Sequence, residues 1–412
     1  MRENYKIVFE MQSKIQNAKS VIAIIGAGPA GTSAAIRLAT RGFKVVLVER
    51  EKFPRQKLCG EFISPECFAH FKDLGVLDEM LSAGGDPITE TVFYAPNGKS
   101  VSVPSKWFNK EENALGLSRA EMDFRLLKRV KAIGVEVLEE TQVTDLLIEN
   151  EVVYGVKAKD KDGNIFEVAA DLTIDASGRA RVLGKLAEKE KAKNNQRSKI
   201  KDQRSKLVGF KAHLKNADIE KGVCEIYFFR GGYGGLNYVE NGVSNHCFLV
   251  RADVVKEFNS DALAIVENVI FQNQRACSTL KNASLVYDWL AVAVDSFGLK
   301  DLNPAPNLIL IGDAAAFIDP FTGSGMLMAL ESGEILAKAV LENLFYSEKI
   351  AESYKIFHAQ KFQKRLWVCT LLRRAAFAPH LAKFAISALS FGDFPRKILA
   401  RATRPSFLAS NK

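Results

Sequence analysis

The stretch VIAIIGAGPAGTSAAIRLATRGFKVVLVER, Val21 to Arg50, contains the pattern that decides the fold. An apolar run ends at Ile25 and is followed at once by GAGPAG, residues 26–31, which matches G-x-G-x-x-G. Apolar residues then recur with helical spacing, and a second apolar run leads to Glu49. This order of strand, turn, helix and strand predicts a βαβ unit of an α/β fold that binds an adenine dinucleotide, with Glu49 accepting hydrogen bonds from a ribose diol.

Each residue type in the GAGPAG turn has its own expected role. Gly26 permits the tight turn, Gly28 lets backbone amides approach a pyrophosphate, and Gly31 lets the helix pack closely on the strand. Pro29 and Ala30 begin the helix, where a missing N–H costs nothing and the helix N-terminus faces the phosphate charge. A turn that is glycine-rich for packing alone is the alternative interpretation.

A second motif, LILIGDAAAFIDPFTGSG, runs from Leu308 to Gly325 and places Asp313 directly after an apolar strand. A carboxylate there is costly to bury unless something donates hydrogen bonds to it. Strand ends that are distant in sequence can lie side by side in a doubly wound sheet, so Asp313 is expected beside the glycine-rich turn. Helix capping by Asp313 is the alternative.

Charge and cysteine content limit the class of protein. The net charge is +9, yet Lys361 to Lys412 contains eleven basic residues and one acid, so the rest of the chain sums to −1 and no general nucleic-acid binding is expected. Residues 185–206 contain nine basic and three acidic residues, which indicates a mobile surface insertion; a nucleic-acid patch would need interleaved aromatics, which are absent. The six cysteines and five histidines are scattered, which predicts free thiols, no metal site and a cytoplasmic location.

The order of three separated motifs, GAGPAG, DASGR at Asp175–Arg179 and GDAA at Gly312–Ala315, resembles the flavoprotein monooxygenase superfamily with the para-hydroxybenzoate hydroxylase fold. Geranylgeranyl reductases and flavin-dependent halogenases share that scaffold. The resemblance covers roughly Ser20 to Leu344, and CGEFISPE and the GDAA stretch look most similar to the geranylgeranyl reductase-like branch.

The resemblance implies an α/β fold with a Rossmann-like, GR2-type FAD-binding domain, an interleaved antiparallel-sheet substrate domain and a C-terminal helical region. The implied FAD-binding parts are residues 20–90, 119–184 and 301–345. The substrate-domain parts are the strands of 91–118 and the antiparallel meander of 207–300; the charged insertion 185–206 and the basic helical region 346–412 complete the chain.

The resemblance also implies the cofactor, FAD, and its contacts. GAGPAG would hold the AMP half, Asp313 would accept a hydrogen bond from a ribityl hydroxyl, and Arg119 would reach the phosphates or ribityl chain, with a surface ion pair as the alternative. Cys59 and Gly60 would border the isoalloxazine, and Arg50 and Val143 would lie near the adenine. The remaining implied contacts are Gly312, Pro320, Gly323, Ser324 and Gly325.

The reaction stays open at this point. An NAD(P)H-using monooxygenase that acts on a hydrophobic or aromatic small molecule through a flavin hydroperoxide is slightly favoured over an alkene reductase. Cys59 and Tyr233 are the candidates for catalytic contacts, against simple burial or sheet packing. The halogenase motif W-x-W-x-I-P is absent, and Ser177-Gly178 replaces the Asp-Gly of aromatic hydroxylases, so a halogenase is a minor alternative and the nicotinamide docking mode is open. A non-catalytic flavoprotein is the other minor alternative.

The basic C-terminal region mixes Lys and Arg with Leu, Phe and Trp367. A helical cap over the substrate pocket is the favoured interpretation. The alternative is a basic amphipathic helix that lies on an anionic bilayer and makes the protein membrane-peripheral.

Overall fold

The computed structural model describes residues 20–109, 112–194, 206–294, 297–344, 346–377, 386–387, 389–390 and 392–403. The strands are β1 (Val21–Ile25), β2 (Lys44–Val48), β3 (Phe62–Ile63), β4 (Asp86–Ile88), β5 (Glu90–Tyr94), β6 (Ser100–Pro104), β7 (Ala114–Gly116), β8 (Glu136–Leu138), β9 (Gln142–Glu149), β10 (Val152–Lys159), β11 (Ile165–Ala169), β12 (Leu172–Asp175), β13 (Leu207–Lys215), β14 (Val223–Phe229), β15 (Gly232–Tyr238), β16 (Ser244–Arg251), β17 (Ser284–Leu285), β18 (Leu290–Val294), β19 (Gly298–Leu299), β20 (Leu308–Leu310) and β21 (Ala316–Phe317). The helices are α1 (Pro29–Ala39), α2 (Cys67–Leu74), α3 (Leu77–Leu81), α4 (Arg119–Ala132), α5 (Val182–Asn194), α6 (Ala252–Glu257), α7 (Ala262–Asn268), α8 (Gln274–Leu280), α9 (Gly325–Glu342), α10 (Ser347–Ala376) and α11 (Asp393–Ala402).

The predicted βαβ unit forms the centre of a five-stranded parallel sheet with the order β20-β12-β1-β2-β8. Because all pairings are parallel, the carboxyl ends of the strands share one edge. The GAGPAG turn after β1 therefore lies beside Ala176 after β12 and Gly312 after β20. The backbone N–H of Ala176 donates to Ile25 O at 2.9 Å, which fixes this edge.

Helices α1 and α9 pack against each other beside this sheet. Ser33 Oγ donates to Leu330 O at 2.8 Å, and a Cβ at Gly333 would lie 2.7 Å from the Ala34 N atom. The two helices that follow the two glycine-rich motifs are thus locked together, and their N-termini stay at the same edge of the sheet.

A second, larger sheet has the order β17-β13-β16-β15-β14-β5-β6, with β18 also paired to β13. Its two parts come from distant segments, because β5 pairs in parallel with β14 while the other pairings are antiparallel. This arrangement, together with the parallel sheet and the C-terminal helices, confirms the predicted fold class.

The predicted meander over residues 207–250 is correct for β14, β15 and β16 but wrong for β13. β13 pairs with β16 rather than with β14, its neighbour along the chain. The alternating apolar pattern predicted the strands and not their partners, because the order of strands depends on long-range pairing.

The charged insertion is described only in part. Residues 185–194 continue the helix α5, and residues 195–205 lie outside the described residues. At the C-terminus, α10 and α11 give the predicted helical region. None of the described helices combines the length and hydropathy needed to cross a membrane.

Candidate functional site

One continuous cavity of about 740 Å³ lies where the carboxyl edge of the parallel sheet faces the large sheet and the C-terminal helices. Gly28 and Asp313 line it from the first sheet, Phe228 from the second, and Leu372 and Leu399 from α10 and α11. Two sheets and the helical region therefore share one site.

The GAGPAG turn shapes one end of the cavity. Gly26 has a φ of +110°, and a Cβ there would lie 2.5 Å from Ala176 O, so the turn requires glycine. At Gly28 the atom nearest an added Cβ is Arg119 Nη2 at 3.9 Å, so the backbone is open to the cavity. The N-terminus of α1, with Pro29 in its first turn, points its amides at this opening.

Glu49 is buried beside the turn and holds it in shape. Its Oε2 accepts from the Ala27 N–H at 2.8 Å, and its Oε1 accepts from the Glu51 N–H at 3.0 Å. Each carboxylate oxygen keeps further lone pairs, and the residue lines the cavity. Glu49 therefore braces the turn and can still accept hydrogen bonds from a bound diol.

Asp313 lines the cavity, and among the described residues no hydrogen-bond donor reaches its carboxylate. Burial raises the pKa of Asp313, while the nearby charges of Arg179, Arg119 and Lys57 oppose that rise. A carboxylate in this position is available to accept hydrogen bonds from a ligand hydroxyl, and its predicted bond to a ribityl hydroxyl stays a prediction.

Near Asp313, the basic side chains of the cavity outnumber the carboxylates that pair with them among the described residues. Arg119 donates to buried Asp123 through Nε at 2.9 Å and Nη2 at 2.7 Å, and Arg55 Nη1 lies 3.1 Å from the same carboxylate. Lys57 has no carboxylate partner among the described residues, and burial together with the neighbouring arginines lowers its pKa to about 8. The surplus of positive charge suits a ligand with phosphate groups.

A buried charged cluster fixes the loop that contains Cys59 and Gly60. Glu61 Oε1 accepts from Lys211 Nζ at 2.5 Å, and Glu61 Oε2 lies 2.6 Å from His213 Nε2. Burial alone would raise the pKa of Glu61, but the His213 hydrogen bond and the Lys211 charge outweigh it and lower that pKa. Because Lys211 and His213 belong to β13, the cluster ties the loop to the large sheet.

A second buried pair joins Tyr233, which lines the cavity, to Asp319, which lies behind the lining. Tyr233 Oη donates to Asp319 Oδ1 at 2.5 Å, and Asp319 Oδ1 also accepts from the Phe321 N–H at 2.9 Å. The Tyr233 and Phe321 rings meet edge to face at 5.3 Å. Burial and the Asp319 charge raise the pKa of Tyr233 well above its usual value, so the hydroxyl keeps its proton.

The structure brings most of the predicted contacts to the cavity. The predicted residues that line it are Gly26, Gly28, Pro29, Ala30, Glu49, Arg50, Cys59, Gly60, Arg119, Val143, Tyr233, Asp313, Pro320, Gly323 and Gly325.

Three predicted contacts lie behind the lining instead. A Cβ at Gly31 would lie 1.9 Å from Gly26 O, so this glycine serves the packing of helix on strand. The Gly312 N–H donates to Ser332 Oγ at 2.9 Å, and fully buried Ser324 pairs with Thr322 Oγ1 at 2.7 Å just before α9.

Sequence reasoning missed several lining or supporting residues: Arg55, Lys57, Glu61, Arg179, Lys211, His213 and Asp319. In the loop FPRQKLCGE, the basic residues Arg55 and Lys57 lie close in sequence to the acidic Glu61. This charge pattern would have identified the first three as candidates. Arg179 ends the DASGR motif and Asp319 lies within the Leu308–Gly325 motif, so both had a local signal. Lys211 and His213 had none, because their partner Glu61 lies far away in the sequence.

Apolar side chains cover the rest of the wall. They come from strands β5, β6 and β14, from the segment after β21, and from the C-terminal helices and the residues between them: Phe93, Val101, Val103, Ile226, Phe228, Phe321, Leu372, Ile386, Leu389 and Leu399. The cavity thus has a polar, cationic end and an apolar end.

These features fit a flavin adenine dinucleotide. The open backbone at Gly28 suits a pyrophosphate, the Asp313 carboxylate lacks a described protein donor, and Lys57 supplies unpaired positive charge.

Comparisons with known proteins agree with the geometry. A family model described as FAD binding domain matches residues 19–355. The digeranylgeranylglycerophospholipid reductase of Methanosarcina acetivorans is 26% identical over 343 residues, 81% of this chain and 79% of that protein. The menaquinone reductase of Mycolicibacterium smegmatis is 26% identical over 337 residues, 78% and 76% of the two chains. The solved structure of the flavin-dependent brominase Bmp2 matches with a TM-score of 0.76 over 95% of each chain at 19% identity, a likeness of fold alone.

Proposed function

Since the chain belongs to the FAD binding domain family and is an FAD-dependent oxidoreductase, we propose that it reduces carbon–carbon double bonds in an elongated hydrophobic substrate of the isoprenoid class. The observation that carries the proposal is the apolar end of the cavity, which continues from the cationic end and is lined by Tyr233, whose hydroxyl bonds to buried Asp319 behind the lining. The two curated relatives named above, both reductases, support the same reaction type.

The cationic end would hold the cofactor. The amides of the GAGPAG turn and the unpaired Lys57 would contact the pyrophosphate, Glu49 a ribose diol, and Asp313 the ribityl chain. When bound and reduced, FAD supplies the hydride that alkene reduction requires. The loop of Cys59 and Gly60, fixed by the buried Glu61 cluster, would form the wall between cofactor and substrate.

The apolar end would bind the substrate and exclude water. Aromatic and aliphatic walls bury a hydrocarbon chain favourably, and each buried methylene contributes about 0.8 kcal/mol. Phe93, Phe228 and Phe321 form the part of this wall that faces the Tyr233 side of the cavity. A substrate with a long hydrocarbon chain fits such a surface better than a small polar one.

Tyr233 would hold the proton that completes the reduction. Its raised pKa keeps the hydroxyl protonated. In the structure that one proton is donated to Asp319, so its transfer to the substrate would require the hydroxyl to turn from Asp319 towards the double bond. Arg373 Nε lies 3.9 Å from Asp319 Oδ2 and supplies a positive charge on the far side of the pair. A positioned acid of this kind contributes about 10²–10⁴-fold to a rate.

Hydroxylation of a hydrophobic or aromatic small molecule, with NAD(P)H as electron donor, is the second candidate. The aromatic rings of Phe93, Phe228 and Phe321 would accommodate an aromatic substrate equally well. NAD(P)H is also the proposed electron donor for the reductase. The likeness to a brominase concerns the fold and does not by itself favour halogenation.

The product separates these candidates. Purified protein with FAD is incubated with NADH or NADPH and a digeranylgeranyl lipid in nonionic detergent, and the lipid is analysed by mass spectrometry. A gain of two hydrogens per double bond supports the proposal. A gain of one oxygen atom in the lipid would assign the chain to the second candidate.

A further inference from the structure

Helix α11 exposes an apolar and cationic stripe to solvent. Phe394, Lys397, Ile398 and Arg401 follow the spacing i, i+3, i+4 and i+7, which places them on one side of a helix, where Lys397 is half-buried and the other three are exposed. Phe394 is 77% exposed and Ile398 is 54% exposed. Large apolar side chains are therefore presented to solvent on a short helix that needs burial to be stable.

Helix α10 carries a stripe of the same kind. Lys364, Trp367 and Leu371 follow the spacing i, i+3 and i+7, and Trp367 and Leu371 are 64% and 45% exposed. Both helices of this region carry such a stripe, so apolar residues scattered singly by chance are a poor explanation of their exposure.

The other sides of the two helices face the cavity. Leu399 and Ala400 of α11 and Leu372 of α10 line its apolar end. Arg396 fastens α11 over the cavity, since its Nη1 donates to Ser102 O at 3.0 Å and its guanidinium lies 5.9 Å from the Trp107 ring. Each helix thus has one side at the cavity and an apolar side in solvent.

We propose that the outward stripes of α10 and α11 bind an anionic phospholipid bilayer, with both helices lying in the interface and the apolar end of the cavity beneath them. This inference goes beyond the proposed function, and vesicle binding would stand even if the reaction were of another type. If both hold, a membrane-dissolved substrate would reach the cavity without crossing water.

Charge complementarity selects the anionic bilayer as the occupant. Lys364, Lys397 and Arg401 have no carboxylate partner among the described residues, and the segment from Lys361 to Lys412 contains eleven cations and one acid. Helices that combine basic residues with Trp, Phe and Leu lie in the membrane interface, where each cation near an anionic surface strengthens binding. Tryptophan is enriched at that depth.

Flotation of the full chain with lipid vesicles tests the proposal. Vesicles of phosphatidylcholine with phosphatidylglycerol should carry the protein to the top of a gradient, and vesicles of phosphatidylcholine alone should carry much less. The double variant Phe394→Ser/Ile398→Ser should lower the partition coefficient about tenfold or more. Lys397→Ala/Arg401→Ala should lower it roughly fivefold per cation and should reduce its salt dependence.

A matched control and a second readout keep the result specific. Ile165→Ser removes an apolar side chain that is 61% exposed on strand β11, which belongs to neither α10 nor α11. This variant should leave vesicle binding unchanged. The fluorescence of the parent protein should shift to shorter wavelength on anionic vesicles, and Trp367→Phe should abolish that shift.

Three results would overturn the proposal: no flotation, equal flotation on both vesicle types, or a concentration-dependent dimer that the Phe394→Ser/Ile398→Ser variant abolishes without any vesicle binding. The last would assign the stripes to a second copy of the chain. Reduction of a lipid dispersed in detergent, which needs no bilayer, is measured on the same variants and tests the proposed function separately.

Discussion

Two glycines of the GAGPAG turn should respond in opposite ways to the same small change, the addition of one methyl group. At Gly28, φ is −73° and ψ is −179°, which alanine adopts without strain, and the atom nearest the new Cβ is 3.9 Å away. At Gly31 the new Cβ would lie 1.9 Å from Gly26 O and 3.2 Å from Ala176 Cβ. Gly28→Ala should therefore spare the fold and obstruct the ligand, and Gly31→Ala should disturb the fold.

The expected magnitudes follow from these distances. Gly28→Ala should change the free energy of unfolding of the FAD-free protein by less than about 1 kcal/mol. It should weaken FAD binding by about 1.5–3 kcal/mol, roughly tenfold to hundredfold, because backbone hydrogen bonds to a charged phosphate are displaced. Gly31→Ala should cost about 1–3 kcal/mol of stability through overpacking of α1 against the turn.

Two titrations check this pair. FAD affinity is measured from the quenching of flavin fluorescence on adding FAD-free protein, and stability from urea unfolding of the same preparations. If Gly28→Ala bound FAD within about threefold of the parent, the backbone of the turn would not lie against the pyrophosphate, and the site assignment would fail. An unchanged urea midpoint for Gly31→Ala would refute the packing argument.

Three further predictions follow from the charged groups of the cavity. Glu61→Gln should destabilise the protein by about 3–5 kcal/mol because it leaves the buried Lys211 ammonium unpaired, and adding Lys211→Met should recover part of that loss in urea unfolding; equal costs for single and double variants would deny the pairing. FAD binding should take up a proton near pH 8 and weaken as pH rises through that value, because the pKa of Lys57 is lowered to about 8 and the phosphates favour its charged form; calorimetry in two buffers should show this for the parent and not for Lys57→Met. Tyr233→Phe should retain FAD and substrate binding while lowering kcat about a hundredfold, and Asp319→Asn should act in the same direction; a Tyr233→Phe variant with parental kcat would remove the tyrosine from the proposed role.

Local patterns in the sequence predicted the elements that hold the cofactor end. The run from Val21 to Glu49 alternates strand, turn and helix within a few dozen residues, so its periodicity and its glycines are visible without the rest of the fold. The same holds for Asp313, which follows a short buried strand and precedes the helix that begins at Gly325. Most of the implied contacts near these motifs line the cavity for this reason.

Those local patterns could not predict contacts between residues that are far apart in the sequence. Glu61 and Lys211 are 150 residues apart, and Tyr233 and Asp319 are 86 apart, so no periodicity connects their charges. The misplaced partner of β13 has the same cause, since strand order depends on pairing between segments and not on the alternation within each one. Gly312 and Ser324 were expected in the cavity wall and instead support it from behind, because a motif predicts which segment lies near the site and not which of its residues face the cavity.

The most direct test of the proposed reductase is a single turnover without oxygen. The FAD-bound protein is reduced photochemically under anaerobic conditions and mixed with a digeranylgeranyl lipid in detergent, while the visible spectrum of the flavin is followed. The account predicts that the oxidised spectrum returns in the absence of oxygen, at a rate that rises with lipid concentration and falls in Tyr233→Phe. A flavin that stays reduced with the lipid present and reoxidises only when oxygen is admitted would contradict it.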